Sequence, residues 1–317
     1  MKYLLTIFIF CIVLFLYLHI QYHLKTSNDL EIYTIEQPSK EKLEEICDLR
    51  QPVMIDYNID NIIENCNIST VDDNYGAFDI QIRDVSDRDK DNEMYLPFLF
   101  KEAINLFQKD EKKKYITEKN YDFLEETGLV KHYRYNDSFL RPHLVSKCIY
   151  DFYSGSIGST TPLRFNNSYR NYFYLTSGSC KIKLIPPKYH KYLFIEKDYE
   201  NSESISKINP WDVQQKYKAE FNKVKVLDIE MKQGDLLFIP AFWLYSIQYN
   251  EISSLSVFTY RTYMNTVAIL PDLIMSFLQK QNVYRKNVKN LNIDEKKKCI
   301  KLNVIIKSCL YLLLHNV

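Results

Sequence analysis

The chain has 317 residues, with 41 Lys+Arg set against 40 Asp+Glu and a formal net charge of +1. That length admits a membrane segment plus one large domain. The near-neutral balance gives none of the broad basic field a nucleic-acid partner would require, so none is expected. The 26 Tyr and 18 Phe favour strand-rich structure, and only 6 Gly are available for unusual turns. Seven cysteines are scattered without a C-x-x-C pair, which argues against a structural zinc site and leaves disulfides open.

The first element is Tyr3 to Ile20, YLLTIFIFCIVLFLYLHI, uncharged and interrupted only by Thr6 and His19. About 18 such residues rise roughly 27 Å as a helix, enough to cross a bilayer core. The bulky run His19-Ile20-Gln21-Tyr22-His23 offers no small-residue cleavage site. We therefore read residues 1–24 as an uncleaved single-pass anchor rather than a removed signal peptide. Lys2 before the span and acidic Asp29, Glu31 and Glu36 after it place the following domain outside the cytosol. Residues 25–35 read as a linker. Ser39 then caps a short amphipathic helix, KEKLEEICDL, with Leu43, Ile46 and Cys47 on one face. Pro52–Asp56 and the alternating Ala77–Arg83 read as strands. Pro97–Phe107 reads as a helix with the proline in its first turn, followed by a charged loop, Lys109–Lys114.

From about residue 150 to 263 short alternating strands dominate: Asn171–Thr176, Cys180–Ile185, Val224–Ile229, Asp235–Pro240 and Ser254–Tyr260. Gly155, Gly158, Gly178 and Gly234 are expected at the turns between them. Closely spaced strands of this kind predict a mainly β domain with flanking helices, built as a jelly-roll barrel. The boundaries expected are 36–268 for the domain, with its barrel core at about 150–263, and 269–317 for a C-terminal helical extension. The apolar segment Ile300–Val317 carries Lys301 and Lys307, so it reads as an amphipathic helix that caps the barrel or pairs two copies into a homodimer, not as a second span.

Two stretches carry a specific signal. One is Gly155-Ser-Ile-Gly-Ser-Thr-Thr-Pro-Leu-Arg-Phe-Asn166, running on through Asn171-Tyr-Phe to Ser177-Gly178 and Leu184-Ile-Pro-Pro187; the other is Gly234-Asp-Leu-Leu-Phe-Ile-Pro-Ala-Phe-Trp-Leu-Tyr245. Together they resemble the JmjC/cupin-like oxygenases, whose double-stranded β-helix binds Fe(II) and 2-oxoglutarate through T-P-x-H-x-D and G-D-x-L-x-I-P-x-x-W-x-H segments. The order and the separation of about 70 residues agree, and the likeness extends over most of the chain beyond the anchor.

Laid onto this sequence residue by residue, the resemblance puts Arg164 and Tyr245 at the two histidine positions and Asn166 at the carboxylate position. Cys180 stands where family members often place a lysine for 2-oxoglutarate, whereas Thr161 and Asn171 are retained. Guanidinium has donors only and stays protonated, so Arg164 cannot ligate a metal. A cation about 4 Å from a divalent ion would be repelled by roughly 8 kcal/mol at an effective dielectric near 20. Asn166 offers only a weak amide oxygen, and Tyr245 would first have to lose its phenolic proton. No histidine in the chain is followed two residues later by Asp or Glu, so a shifted register does not restore the site. The sequence therefore predicts no catalytic residue, no metal and no cofactor.

Two readings of the altered pocket remain. In one, Arg164 receives a small anion, with Tyr245 and Thr161 as hydrogen-bond partners and Asn171, Cys180 and Trp243 lining the space. In the other, Arg164 and Tyr245 fill the old cavity and the arginine pairs with a nearby acid. The expected function is a membrane-anchored binding or scaffolding module for an unknown protein or small anionic ligand. The alternatives are a hydroxylase with atypical ligands and a structural membrane or virion component.

Overall fold

The computed structural model of the protein describes residues 2–85, 95–199 and 203–282. The chain divides into two units, Met1–Lys197 with Glu203–Leu270, and Asp198–Ser202 with Pro271–Val317. In the second unit, residues 271–282 are helical; the basic stretch and the apolar segment at 300–317 lie outside the described residues.

The first unit opens with α1 (Lys2–Leu24), whose stretch Tyr3–Leu24 is long and apolar enough to cross a membrane, a test that a signal sequence also passes. Strand β1 (Tyr33–Glu36) follows and runs parallel to β2 (Val53–Asp56), with Tyr33 opposite Val53. Between them lies α2 (Lys40–Asp48), where the Ser39 hydroxyl accepts from the Lys42 amide and Leu43, Ile46 and Cys47 are buried on one face. The segment read as a linker, 25–35, is instead tied to the domain. The Ser27 amide and the Thr26 hydroxyl donate to the Arg50 carbonyl, the buried Trp243 indole donates to the Ser27 carbonyl, and β1 adds to the sheet. A buried indole N–H needs an acceptor, and this strand of chain supplies it.

Among the described residues, five helices and three strands lie between β2 and the barrel core: α3 (Asp60–Asn65), α4 (Ile68–Tyr75), β3 (Asp79–Asp84), β4 (Tyr95–Leu99), α5 (Phe100–Lys109), β5 (Tyr115–Thr117), α6 (Tyr121–Glu126) and α7 (Val130–Leu140). Pro97 is not in a helix. It lies in β4, an edge strand, where a missing N–H costs no ladder bond, and the helix starts three residues later at Phe100.

The barrel strands are β6 (Val145–Gly155), β7 (Arg164–Phe165), β8 (Arg170–Ser177), β9 (Ser179–Ile185), β10 (Ile195–Asp198), β11 (Glu203–Ser206), β12 (Leu227–Lys232), β13 (Asp235–Pro240), β14 (Leu244–Tyr249) and β15 (Ser254–Thr262). A short helix, α8 (Lys218–Phe221), precedes β12, and α9 (Tyr263–Ala268) follows β15. Among the described residues these form a nine-stranded sheet, β1-β2-β13-β8-β15-β6-β5-β3-β4, and a six-stranded sheet, β10-β11-β7-β14-β9-β12. Strands β1 and β2 pair in parallel, while β12–β9, β13–β8, β14–β9 and β15–β8 pair antiparallel, so the expected jelly-roll is what the chain builds.

Three apolar layers hold this arrangement together. The interior between the sheets takes Phe173, Leu175, Leu237, Ile239, Leu255 and Val257 from one side and Cys180, Ile182, Leu184, Met231, Tyr245, Ile247 and Tyr249 from the other. The opposite face of the large sheet, with Tyr172, Tyr174, Phe238, Phe258 and Tyr260, packs on the helices. The outer face of the small sheet carries Leu163, Ile185 and Leu244 against Leu193 and Ile208. Strand β8 is covered on both faces, and its aromatic run is accordingly shared: Phe173 fills the barrel, while Tyr172 and Tyr174 serve the helical layer. Gly158, Gly178 and Gly234 adopt positive φ as expected. Gly155 does not; it ends β6, where an added Cβ would sit 2.7 Å from the Tyr249 ring.

Candidate functional site

Two of the three positions that the resemblance sets against the family's ligands, Arg164 and Tyr245, fall on strands that the register brings side by side. Arg164 of β7 pairs directly with Tyr245 of β14, and Tyr245 pairs on its other side with Leu184 of β9. The Arg164 guanidinium carbon lies 5.6 Å from the centre of the Tyr153 ring and 5.7 Å from that of Tyr245. Asn166 is one residue past β7, and its side-chain oxygen accepts from the Ser168 amide at 2.8 Å.

Arg164 does not point at an open coordination centre. Its Nη2 donates to Glu118 Oε2 in a close ion pair, and its Nη1 lies 3.7 Å from Glu203 Oε1. Glu118 Oε1 also accepts from Arg83 Nη1 at 2.8 Å and from the Tyr95 hydroxyl at 2.7 Å. Glu203 accepts from Lys119 at 2.9 Å and faces Arg83 at 3.4 Å. The side chains of Arg83 and Glu118 are each 1% exposed and that of Arg164 is 6% exposed. The cluster draws Arg83 from β3, Tyr95 from β4, Glu118 from just after β5, Arg164 from β7 and Glu203 from β11. These are the edge strands of the large sheet meeting an edge region of the small one, so a single ionic network closes the seam between the sheets.

The electrostatics follow from that packing. Burial by itself would raise the Glu118 carboxyl, but the Arg164 and Arg83 guanidiniums outweigh it and hold Glu118 well below the usual carboxylate range. Burial opposes the charge on Arg164 too, and Glu118 reverses that, leaving the guanidinium more firmly protonated than usual. Burial pushes the Tyr245 phenol up, with the Arg164 charge acting against it. Nearby, burial pushes the Asp151 carboxyl up to about 7, even though the Asn120, Phe152 and Lys119 amides all donate to it.

The other pocket residues expected from the sequence have separate partners. The Thr161 hydroxyl accepts from the Ile247 amide at 2.8 Å, stitching the 156–161 loop to β14. The Asn171 amide donates to the Ser168 and Ile239 carbonyls, each at 3.2 Å, and accepts from Thr259. Cys180 sits among apolar side chains opposite Tyr249, and burial pushes its thiol up to about 12, so it holds no thiolate at neutral pH. Trp243 is buried in the barrel interior with its indole bonded to Ser27. Arg164 and Tyr245 are thus brought together, whereas Thr161, Asn171, Cys180 and Trp243 are engaged in holding the barrel. Arg83, Tyr95, Glu118 and Glu203 escaped the sequence reading. The one available signal was Arg83 directly after buried Ile82, a break in the alternation of β3.

An Fe(II) ion of the kind used by JmjC/cupin-like oxygenases does not fit these residues. A guanidinium already ion-paired to Glu118 occupies the first ligand position, an amide capped by a backbone N–H the second, and a phenol raised in pKa the third. Among the described residues, no three His, Cys, Asp or Glu side chains converge to hold a metal ion.

Residues 27–266 match the family described as cupin-like domain. No curated protein matches the chain. The match spans well over half of the sequence and coincides with the two-sheet barrel and its helical layer, so the chain belongs to the cupin-like domain family.

Proposed function

We propose that this protein is a membrane-tethered cupin-like domain that acts by binding a protein partner and performs no oxygenase chemistry. The observation that carries the reading is the buried pairing of Arg164 with Glu118 at the position where the resemblance calls for the first iron ligand. A single positive group there would repel a divalent ion. Paired with Glu118 and tied through it to Arg83, it also fills the space as a structural element. The same pairing argues against a small anion as the main ligand. An incoming carboxylate or phosphate would have to displace Glu118 or Glu203 from a guanidinium that already has both acids within 4 Å. With α1 as the tether, the domain is held at a membrane surface, where a binding module gains from a fixed position.

The direct test is calorimetric titration of the full chain in detergent micelles with Mn²⁺, with and without 2-oxoglutarate, alongside an assay for 2-oxoglutarate turnover with Fe²⁺. Absence of saturable heat and of turnover, from protein whose unfolding is cooperative, supports the reading. Micromolar Mn²⁺ binding tightened by 2-oxoglutarate would overturn it in favour of a hydroxylase with atypical ligands.

A further inference from the structure

Helix α9 packs against α1 itself, which places its surface at a particular depth if α1 spans a membrane. A hydrocarbon core of about 30 Å consumes roughly 20 helical residues, nearly all of α1. Along α1 the side chains from Tyr3 to Leu18 are exposed, whereas His19, Ile20 and Gln21 are half-buried and His23 is buried. The domain therefore meets α1 at its last two turns, the end at which the span would emerge from lipid.

The outward side of α9 suits that location. Tyr263 and Val267 stand at i and i+4 of the helix and are 62% and 40% exposed, and Leu270, two residues past its end, is 47% exposed. Beside them, the Leu144 side chain is 75% exposed, and its carbonyl accepts from the Tyr263 amide. Polar side chains anchor α9: the Thr262 hydroxyl caps it, Asn265 donates to the Asn167 carbonyl, and Thr266 bonds Ser146 at 2.8 Å. The exposed Tyr263 and Val267 are thus carried on a helix fixed to the barrel. Considered by itself, the helical stretch 271–282 leaves Ile274, Met275, Phe277 and Leu278 exposed, so the apolar spacing carries on in the sequence.

We infer that the face formed by Leu144, Tyr263, Val267 and Leu270 is a second membrane contact, seated in the interfacial zone of the bilayer beside the emerging α1. The inference rests on the reading of α1 as a span. Interfacial helices bury an apolar face about 5–10 Å into the headgroup and acyl boundary, and a tyrosine at the headgroup level is the aromatic such a boundary favours. Two contacts fix the tilt of the domain, where a tether alone would leave it free to swing, and they decide which faces of the barrel are offered to a partner.

Lipid quenching of a new indole tests this. The full chain is reconstituted in bilayers of phosphatidylcholine brominated high on the acyl chain, as the parent, as Val267→Trp and as Tyr17→Trp. Tyr17 reports on α1 and Val267 on α9, and the parent emission from Trp211 and Trp243 is subtracted. Loss of most of the added emission at both positions is the expected result. Quenching at Tyr17→Trp with none at Val267→Trp would overturn the α9 contact and leave the span intact; a rise in oligomer mass in the same sample would assign the face to a second copy of the chain. No quenching at either position would remove the span, and this inference with it.

Discussion

Arg164 and Glu118 show how much one replaced residue can ask of its surroundings. A buried guanidinium without a counter-ion is too costly to keep, and Glu118, which lies 46 positions earlier, supplies the charge. Removing one partner of such a pair leaves the other charged and dry, which typically costs about 3–5 kcal/mol. Arg164→Ala should therefore lower the unfolding free energy by about that amount, and Glu118→Gln should do at least as much harm because it also takes from Arg83 the nearer of its two acids. Urea unfolding of the full chain in detergent, followed by near-UV circular dichroism, measures both. A loss under about 1 kcal/mol for Arg164→Ala would mean that water reaches the guanidinium and the network is not a structural element.

Acid and neutral pH act on two carboxyls of this region in opposite senses. Glu118 titrates lower in the folded chain than in the unfolded one, so its contribution is complete above the ordinary carboxylate range and is lost as pH falls below it. Asp151 titrates higher in the folded chain, at about 7, so its contribution is present below the ordinary range and is lost as pH rises toward 7. Asp151→Asn should remove that second slope: between about pH 4 and 7, the window set by the ordinary aspartate value and the raised one, the parent should lose stability relative to the variant. Parallel curves for the two chains across this window would show that the three backbone N–H donors keep Asp151 ionised throughout. None of these partnerships was legible in the sequence. The resemblance could set Arg164, Asn166 and Tyr245 against the family's ligand positions because motif positions are local. The acid that answers Arg164 lies just past a different strand, β5, and no periodicity connects residues 83, 118, 164 and 203.

At the scale of single elements, the sequence was most legible where a strand or helix has one wet face. The pattern in KEKLEEICDL placed α2, its cap and its three buried residues, and the Asp235–Pro240 run placed β13. It was least legible where both faces are covered or where edge geometry decides. β8 is buried throughout, so alternation could not sort its tyrosines between barrel and helical layer. Pro97 satisfies the rule for a first helical turn and the rule for an edge strand equally, and only the pairing of Gln81 with Pro97 in the β3–β4 ladder separates them. Gly155 read as a turn because glycine usually marks one. Its actual demand is space, since a Cβ there would meet the fully buried Tyr249 ring at 2.7 Å and the Ser159 hydroxyl at 2.8 Å. Gly155→Ala should cost about 1–3 kcal/mol by overpacking. Combining it with Tyr249→Leu should recover part of the loss, which thermal unfolding of the single and double variants would reveal. Additive losses would show that the ring and the glycine are not in conflict.

For the whole molecule, the decisive joint is the passage from α1 into the domain. Composition marked residues 25–35 as a linker because the stretch is polar and short on apolar periodicity, yet the Lys25, Ser27 and Glu31 carbonyls and the Ser27 amide are bonded to the domain. Arg50 does most of the holding. Its Nη1 donates to the Tyr22 and Lys25 carbonyls, its own carbonyl accepts from Ser27 and Thr26, and its guanidinium lies 3.8 Å from the centre of the Tyr22 ring. A cation at the last turn of a helix also answers the free carbonyls and the negative end of the helix dipole. Arg50 has a φ of 55°, a conformation that glycine accepts without strain, so Arg50→Gly removes the guanidinium while keeping the backbone path. Lys25 provides the reporter, because trypsin cleaves after lysine only where the chain can open locally. Hydrogen bonds to a charged donor contribute about 1.5–3 kcal/mol, so losing them should raise the open population at Lys25 by roughly tenfold or more. In limited trypsin digestion of the full chain in micelles, the fragment beginning at Thr26 should appear at least that much faster from Arg50→Gly than from the parent, while cleavage at the exposed Lys131 serves as the internal control. Equal rates at Lys25 would mean that the joint is already open in the parent. The domain would then swing on a flexible leash, and a fixed pose at the membrane surface would need some hold other than Arg50.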